Sequence, residues 1–272
     1  VGLDIFARFK YSHKSSKRLT SAEGGNMKLS KIMTAIILVL LLSVVVNGSG
    51  PTAEEIIQKV DSHNFIANNF EMTIRVQTYN KNQIPSFTVM KGYVNNGEMT
   101  SLVFLEPSKM KDRKIIMKEN DMWIIIPKVK NPIHVTPSQR LVGGISYGDV
   151  AKIKYAPDFY AKISSEEQIA GLNSDGTNST IQNCYVLELT AKDIKQSYQK
   201  IILWVEQQDF LPVKADFYAL SGKKMMTAYY TSPKPLNGKM IITKLFLFDQ
   251  INVAKHFSVE YSDIKVNDGS QN

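Results

Sequence analysis

From Phe70 onward, apolar and polar residues alternate with a period of two. Phe70, Met72, Ile74 and Val76 are interleaved with Glu71, Thr73, Arg75 and Gln77. An extended chain with this pattern has one greasy face and one wet face. Similar runs recur over residues 87–94, 101–105, 114–118 and 122–126, and in the second half over 184–190, 201–205, 213–218, 225–230, 241–248 and 256–264. Asn95-Asn96-Gly97, Glu119-Asn120-Asp121, Ser221-Gly222 and Asn237-Gly238 separate them with hairpin chemistry. The pattern predicts about eleven strands, and tight turns make most neighbours antiparallel.

A helix is predicted ahead of the strands. Thr52-Ala53-Glu54-Glu55 is a capping box, in which hydroxyl and carboxylate satisfy amides at the helix start. Ile56, Ile57 and Val60 then form an apolar stripe that should run out near His63. Between Pro127 and Gly176 the strand rhythm lapses, interrupted by Pro132, Pro137 and Pro157. Arg140–Asp149, with Gly143, Gly144 and Gly148, reads as a glycine-hinged loop followed by a short helix. Ser165-Glu166-Glu167-Gln168-Ile169 reads as a further short helical turn. Within a meandering sheet, an insert of this size is more often functional than idle.

One segment has no alternation at all. The apolar run Met33–Val46 follows Lys28 and Lys31 and precedes Asn47-Gly48-Ser49-Gly50. Basic flank, short apolar core and small residues are the layout of a secretory signal peptide, and its 14 residues fall short of a bilayer span. The expected signal is residues 27–48, cut near Gly48, which directs the rest of the chain to the periplasm. Residues 1–26 read as an upstream extension outside the fold. One domain over residues 51–266 is the economical division, with a disordered tail at 267–272.

The charge changes meaning once the leader is set aside. Of 33 Lys+Arg and 25 Asp+Glu, seven and two fall in residues 1–48, which lowers the net charge from +8 to about +3. Nucleic-acid binding loses its main support. The single cysteine, Cys184, excludes an internal disulfide and sits in a strand-like run, where it reads as a small buried hydrophobe. None of His13, His63, His134 and His256 has a metal-ligand partner at helical spacing, and there is no nucleophile elbow or phosphate loop. Neither metal nor cofactor is expected, and the chain reads as no enzyme. What remains is a large one-sided apolar sheet with little helix to cover it. Two fillings stay open: a dry core of its own side chains, or a greasy ligand.

Leu102–Pro107, Lys114–Met117 and Asp121–Pro127 resemble in order and spacing a progression found in outer-membrane lipoprotein-sorting proteins, the LolA-like superfamily. Gly143–Val150 resembles a motif of one uncharacterised branch, and Cys184–Leu189, Tyr198–Val205 and Phe217–Lys223 continue the match, which spans roughly residues 52–266. The resemblance implies an unclosed antiparallel β-barrel around a hydrophobic cavity, with helices as a lid. It further implies a carrier of lipid or acylated lipoprotein, with an inner-membrane transporter as donor and an outer-membrane acceptor. Two departures stand out. Glu106 occupies the place of an arginine that holds the lid of the familiar carriers, and an ionised glutamate donates no hydrogen bond. Gly143-Gly144 and Gly148 replace polar residues of the branch motif.

On this reading the cavity wall is expected from Phe70, Met72, Ile74, Val76, Phe87, Val89, Trp123, Ile125, Trp204 and Phe217. Leu141, Ile145 and Tyr147 would form the underside of a lid over Arg140–Asp149. Trp123 and Trp204 fit a plain core equally well. The alternative function is a non-catalytic periplasmic accessory subunit with a filled core, bound to a membrane transport complex.

Overall fold

The capping box forms as read: Glu55 accepts from the Thr52 amide at 2.8 Å, and the Thr52 hydroxyl accepts from the Glu55 amide at 3.2 Å. Helix α1 (Ala53–His63) follows and buries Ala53, Ile56, Ile57 and Val60. Its end is clipped to the sheet by His63, whose Nδ1 and Nε2 lie 2.7 and 2.9 Å from the carbonyl oxygens of Met240 and Asp209. The computed structural model describes residues 50–63, 67–96, 98–118, 121–136, 145–146 and 154–267. The apolar run at 33–46 lies outside the described residues. Within them no helix is long and apolar enough to cross a membrane.

The strands are β1 (Phe70–Asn80), β2 (Ser86–Asn95), β3 (Glu98–Glu106), β4 (Lys114–Lys118), β5 (Asp121–Ile125), β6 (Ile133–Val135), β7 (Phe159–Leu172), β8 (Asn178–Ala191), β9 (Lys200–Glu206), β10 (Pro212–Tyr218), β11 (Lys224–Leu236), β12 (Lys239–Asp249) and β13 (Lys255–Val266). They form one 13-stranded sheet in the order β6-β5-β4-β3-β2-β1-β13-β12-β11-β10-β9-β8-β7. Every pairing is antiparallel. Two meanders are thus welded along β1 and β13, and among the described strands β6 and β7, consecutive in sequence, are the two edges of the sheet. This is an unclosed β-barrel. The sheet curls so far that β7 touches β10 and β11, while α1 packs on β7 and β12.

Two strands go beyond the predicted eleven. β6 is three residues long, too short for periodicity to reveal. β7 overturns the helical turn expected at 165–169: Ser165, Glu166, Glu167, Gln168 and Ile169 pair with Val186, Tyr185, Cys184, Asn183 and Gln182. Glu-Glu-Gln favours helix only weakly, and a continuous ladder with β8 outweighs that preference. Polar residues in the middle of this edge strand also blunt it against pairing with other chains. The hairpin at Asn237-Gly238 is as read, with φ of 49° and 73°, the left-handed values that a two-residue turn requires.

Candidate functional site

Register, not composition, assigns each side chain to a face. β1 pairs Ile74 with Met90 of β2 and Tyr261 of β13, and Val76 with Thr88 and Val259. These residues point to the concave side, where the helix stripe also lies. Phe70, Met72, Ile74 and Val76 are buried there in one continuous core with Met90, Leu102, Phe104, Ile115 and Phe257. Phe217 joins it from β10, its ring 4.8 Å from that of Tyr198. Ile145 is fully buried in the same core. The structure therefore brings Phe70, Met72, Ile74, Val76, Ile145 and Phe217 together in one packed core.

The other strand residues of the expected wall face the opposite way. Phe87 and Val89 pair with Gln77 and Arg75, on the outer side, and the Arg75 guanidinium lies 4.4 Å from the Phe87 ring centre. Trp123 and Ile125 pair with Ile116 and Lys114. With Ile116 and Pro132 they line an open outer hollow of about 350 Å³. Trp204 packs with Cys184, Val186 and Val213 in a small separate cluster. Its indole donates to Glu167 at 2.8 Å, and the Lys214 ammonium sits 4.1 Å from its ring centre. The cause is common to all five: around them both parities of the strand are apolar, so alternation does not say which face turns inward. Leu141 and Tyr147, with most of the Arg140–Asp149 segment, lie outside the described residues.

Three polar features of the interior carry no sequence signal. The Tyr155 and Tyr230 hydroxyls share a hydrogen bond of 2.6 Å, and Tyr261, partly buried, packs against the same core. Burial pushes the Tyr155 phenol well above its ordinary value and Tyr261 up to about 12, so both stay protonated and serve as neutral hydrogen-bonding groups. Asp61, on the buried side of α1, accepts from the amides of Tyr155 and Ala156 at 2.7 and 2.8 Å. Burial outweighs these two donors and raises its carboxyl to about 6. These partners are 94 and 95 residues apart in sequence, beyond the reach of any local pattern.

Reactive chemistry finds little support. Burial, then the charges of Glu206 and Glu167, push the Cys184 thiol up to about 11, the reverse of what a nucleophile needs. Among the described residues no group of His, Cys, Asp and Glu is arranged to hold a metal ion. Asp216, buried on the outer side, is satisfied by the Thr227 hydroxyl at 2.6 Å and by Lys224 and Lys214 at 3.3 and 3.5 Å. That is a structural cluster. The arrangement offers an apolar inner face, packed as one core, with a few neutral hydroxyls.

A family model described as that of an uncharacterized protein matches residues 96–272. The chain belongs to this uncharacterized family, within the LolA-like superfamily. It is similar to a LolA superfamily protein from Nitrosomonas europaea, with 28% identity and a TM-score of 0.71 over 80% of this chain and 95% of that one. A DUF1329 family protein from Desulfovibrio piger shares the fold at 15% identity and a TM-score of 0.66, over 80% and 93% of the two chains. So does a domain described as that of an outer membrane lipoprotein-sorting protein from Vibrio parahaemolyticus, at 16% identity and a TM-score of 0.64, over 80% and 94%. Among curated proteins, none matches the chain.

Proposed function

We propose that the protein is an exported, non-catalytic periplasmic carrier that holds acyl chains against the inner face of its curled sheet and passes them toward the outer membrane. The observation that carries this reading is the inner wall itself. Phe70, Met72, Ile74, Val76 and Phe217 form one continuous apolar core on the inner side of the sheet, and the one described α-helix, 11 residues long, packs into the same core. The description of one structural relative, from Vibrio parahaemolyticus, as an outer membrane lipoprotein-sorting domain supports the cargo class. A chain of about 14 methylenes is stabilised by roughly 11 kcal/mol gross on burial, enough to keep lipid out of water. An inner-membrane donor and an outer-membrane acceptor follow from the same reading, as does removal of the leader near Gly48. Ile145 would belong to the covering element that cargo displaces.

The test is mass spectrometry of organic extracts from protein recovered from the periplasm. Stoichiometric lipid or acylated peptide is expected, on a chain lacking Met33–Val46. Close packing favours one other reading. Ile74, Met90, Leu102 and Ile115 have no exposure, as in a filled core, which fits an accessory subunit that binds a membrane complex without cargo. Extracts free of lipid, together with failure to take up a fluorescent fatty acid, would decide for that subunit.

A further inference from the structure

Because the strands form two antiparallel meanders, alternate turns gather at the same end of the sheet. The Lys81 amide bonds to Ala254 O at 3.1 Å, Gln250 to Met225 O at 3.0 Å, and Gln199 to Tyr218 O at 2.9 Å. These bonds stitch the turns 81–85, 250–254, 219–223 and 192–199 into one rim. The turns 107–113 and 126–132 extend it, since Val103 pairs with Lys114 and Lys114 with Ile125.

Five of these turns carry a large apolar residue pointing into solvent: Ile84 is 93% exposed, Val253 85%, Ile194 72%, Leu220 71% and Val129 48%. Single exposed aliphatics are ordinary. Their collection on one rim is not, because the opposite end serves as an internal control. Its described turns, 173–177, 207–211 and 237–238, hold no exposed large hydrophobic residue; Phe210 and Leu211 pack against the core.

Charge divides in the same way. The six turns of the first rim contain nine Lys+Arg against two Asp+Glu, whereas the three described turns of the opposite end contain no Lys or Arg and two Asp. The basic residues flank the apolar tips closely, as in Lys128-Val129-Lys130 and in Ile194-Lys195 after Lys192.

We infer that this rim docks on an anionic lipid surface, with the apolar tips entering the headgroup boundary and the lysines pairing with phosphate. Lysine is depleted from the cores of protein–protein interfaces, so tips separated by lysines suit a protein partner poorly. At a membrane the same lysines are favourable: their stems reach along apolar surface while the ammonium stays with the phosphates. The inference is independent of what the inner face carries. A filled-core subunit would dock by the same rim.

Co-sedimentation of the full chain with vesicles tests this, using phosphatidylcholine alone and phosphatidylcholine mixed with phosphatidylglycerol. Wild-type protein should partition onto the mixed vesicles roughly a hundred-fold better than onto neutral ones, given about five-fold per engaged lysine, and should lose most of that advantage near 1 M salt, where screening shortens to about 3 Å. Ile84→Asp with Val253→Asp, and Ile194→Asp with Leu220→Asp, should each lower binding at least ten-fold with an unchanged Tm, because these side chains touch little. Gln208→Asp, at the opposite end, should have no effect. A retained Met33–Val46 run would bind both vesicle types and would survive the rim substitutions, so the loss caused by the variants isolates the rim. Equal partitioning by wild type and rim variants overturns the inference. So does self-association that the same substitutions abolish, which would make the rim an interface between copies.

Discussion

Asp61 links the end of α1 to the point where the chain re-enters the sheet before β7, and its burial makes that link depend on pH. The carboxyl is at about 6 in the folded protein against 3.8 as its ordinary value. The folded state therefore holds a proton that the unfolded chain releases between those values, and raising the pH favours unfolding. The stabilisation is complete below 3.8 and is lost as pH rises through about 6. The full effect is about 3 kcal/mol; between pH 7.5 and pH 4.5 roughly 2 kcal/mol of it is recovered. Asp61→Asn keeps the shape but does not titrate. It loses one acceptor and sets an amide NH₂ against the Ala156 N–H, so its cost should not vary over this range. Urea unfolding of both proteins at a series of pH values isolates the group, because other titrations cancel in the difference. Wild type should gain on the variant by about 2 kcal/mol from pH 7.5 to 4.5, or roughly 0.7–1 M in urea midpoint for a slope of about 2–3 kcal/mol/M. Parallel profiles would refute the burial argument, and a gain in the opposite direction would mean that the two amide donors win over desolvation.

Other consequences follow from the same packing. Cys184 should resist a thiol reagent at pH 8 in the native protein, where a thiol at about 11 leaves roughly one thiolate in a thousand, and should react at once in guanidinium; Cys184→Ala should keep whatever cargo the wild type carries. Trp204→Phe should cost about 1 kcal/mol through the lost bond to Glu167 with unchanged lipid content, since that ring lies on the outer face; lost cargo at normal stability would return Trp204 to the cavity wall. Ile74→Ala, on the inner face, should cost about 2–5 kcal/mol in chemical denaturation. Thr52→Ala should remove about 1 kcal/mol by opening the capping box, read by the same denaturation.

Much of the architecture was legible because its signals are local. A capping box acts over three residues, a hairpin turn over two, and alternation within a single strand. These determined α1, most strands and the antiparallel meander before any contact was known. β7 escaped because an edge strand with polar residues on both faces has no period to detect. Which side chains face inward was legible on β1, where polar residues alternate strictly with apolar ones, and illegible at Phe87, Val89, Trp123, Ile125 and Trp204, where they do not. Only the pairing of β1 with β2, of β4 with β5, and of β9 with β10 decided which way those side chains turn. Tertiary structure alone also decided that Asp61 would meet Tyr155, that two tyrosines 75 residues apart would share a hydrogen bond, and that Ile84, Val129, Ile194, Leu220 and Val253 would stand on one rim. Sequence specifies what each short segment prefers, because those preferences arise between near neighbours. The face and the end at which a residue finally lies depend on register between distant strands, which forms only when the whole sheet curls around its core.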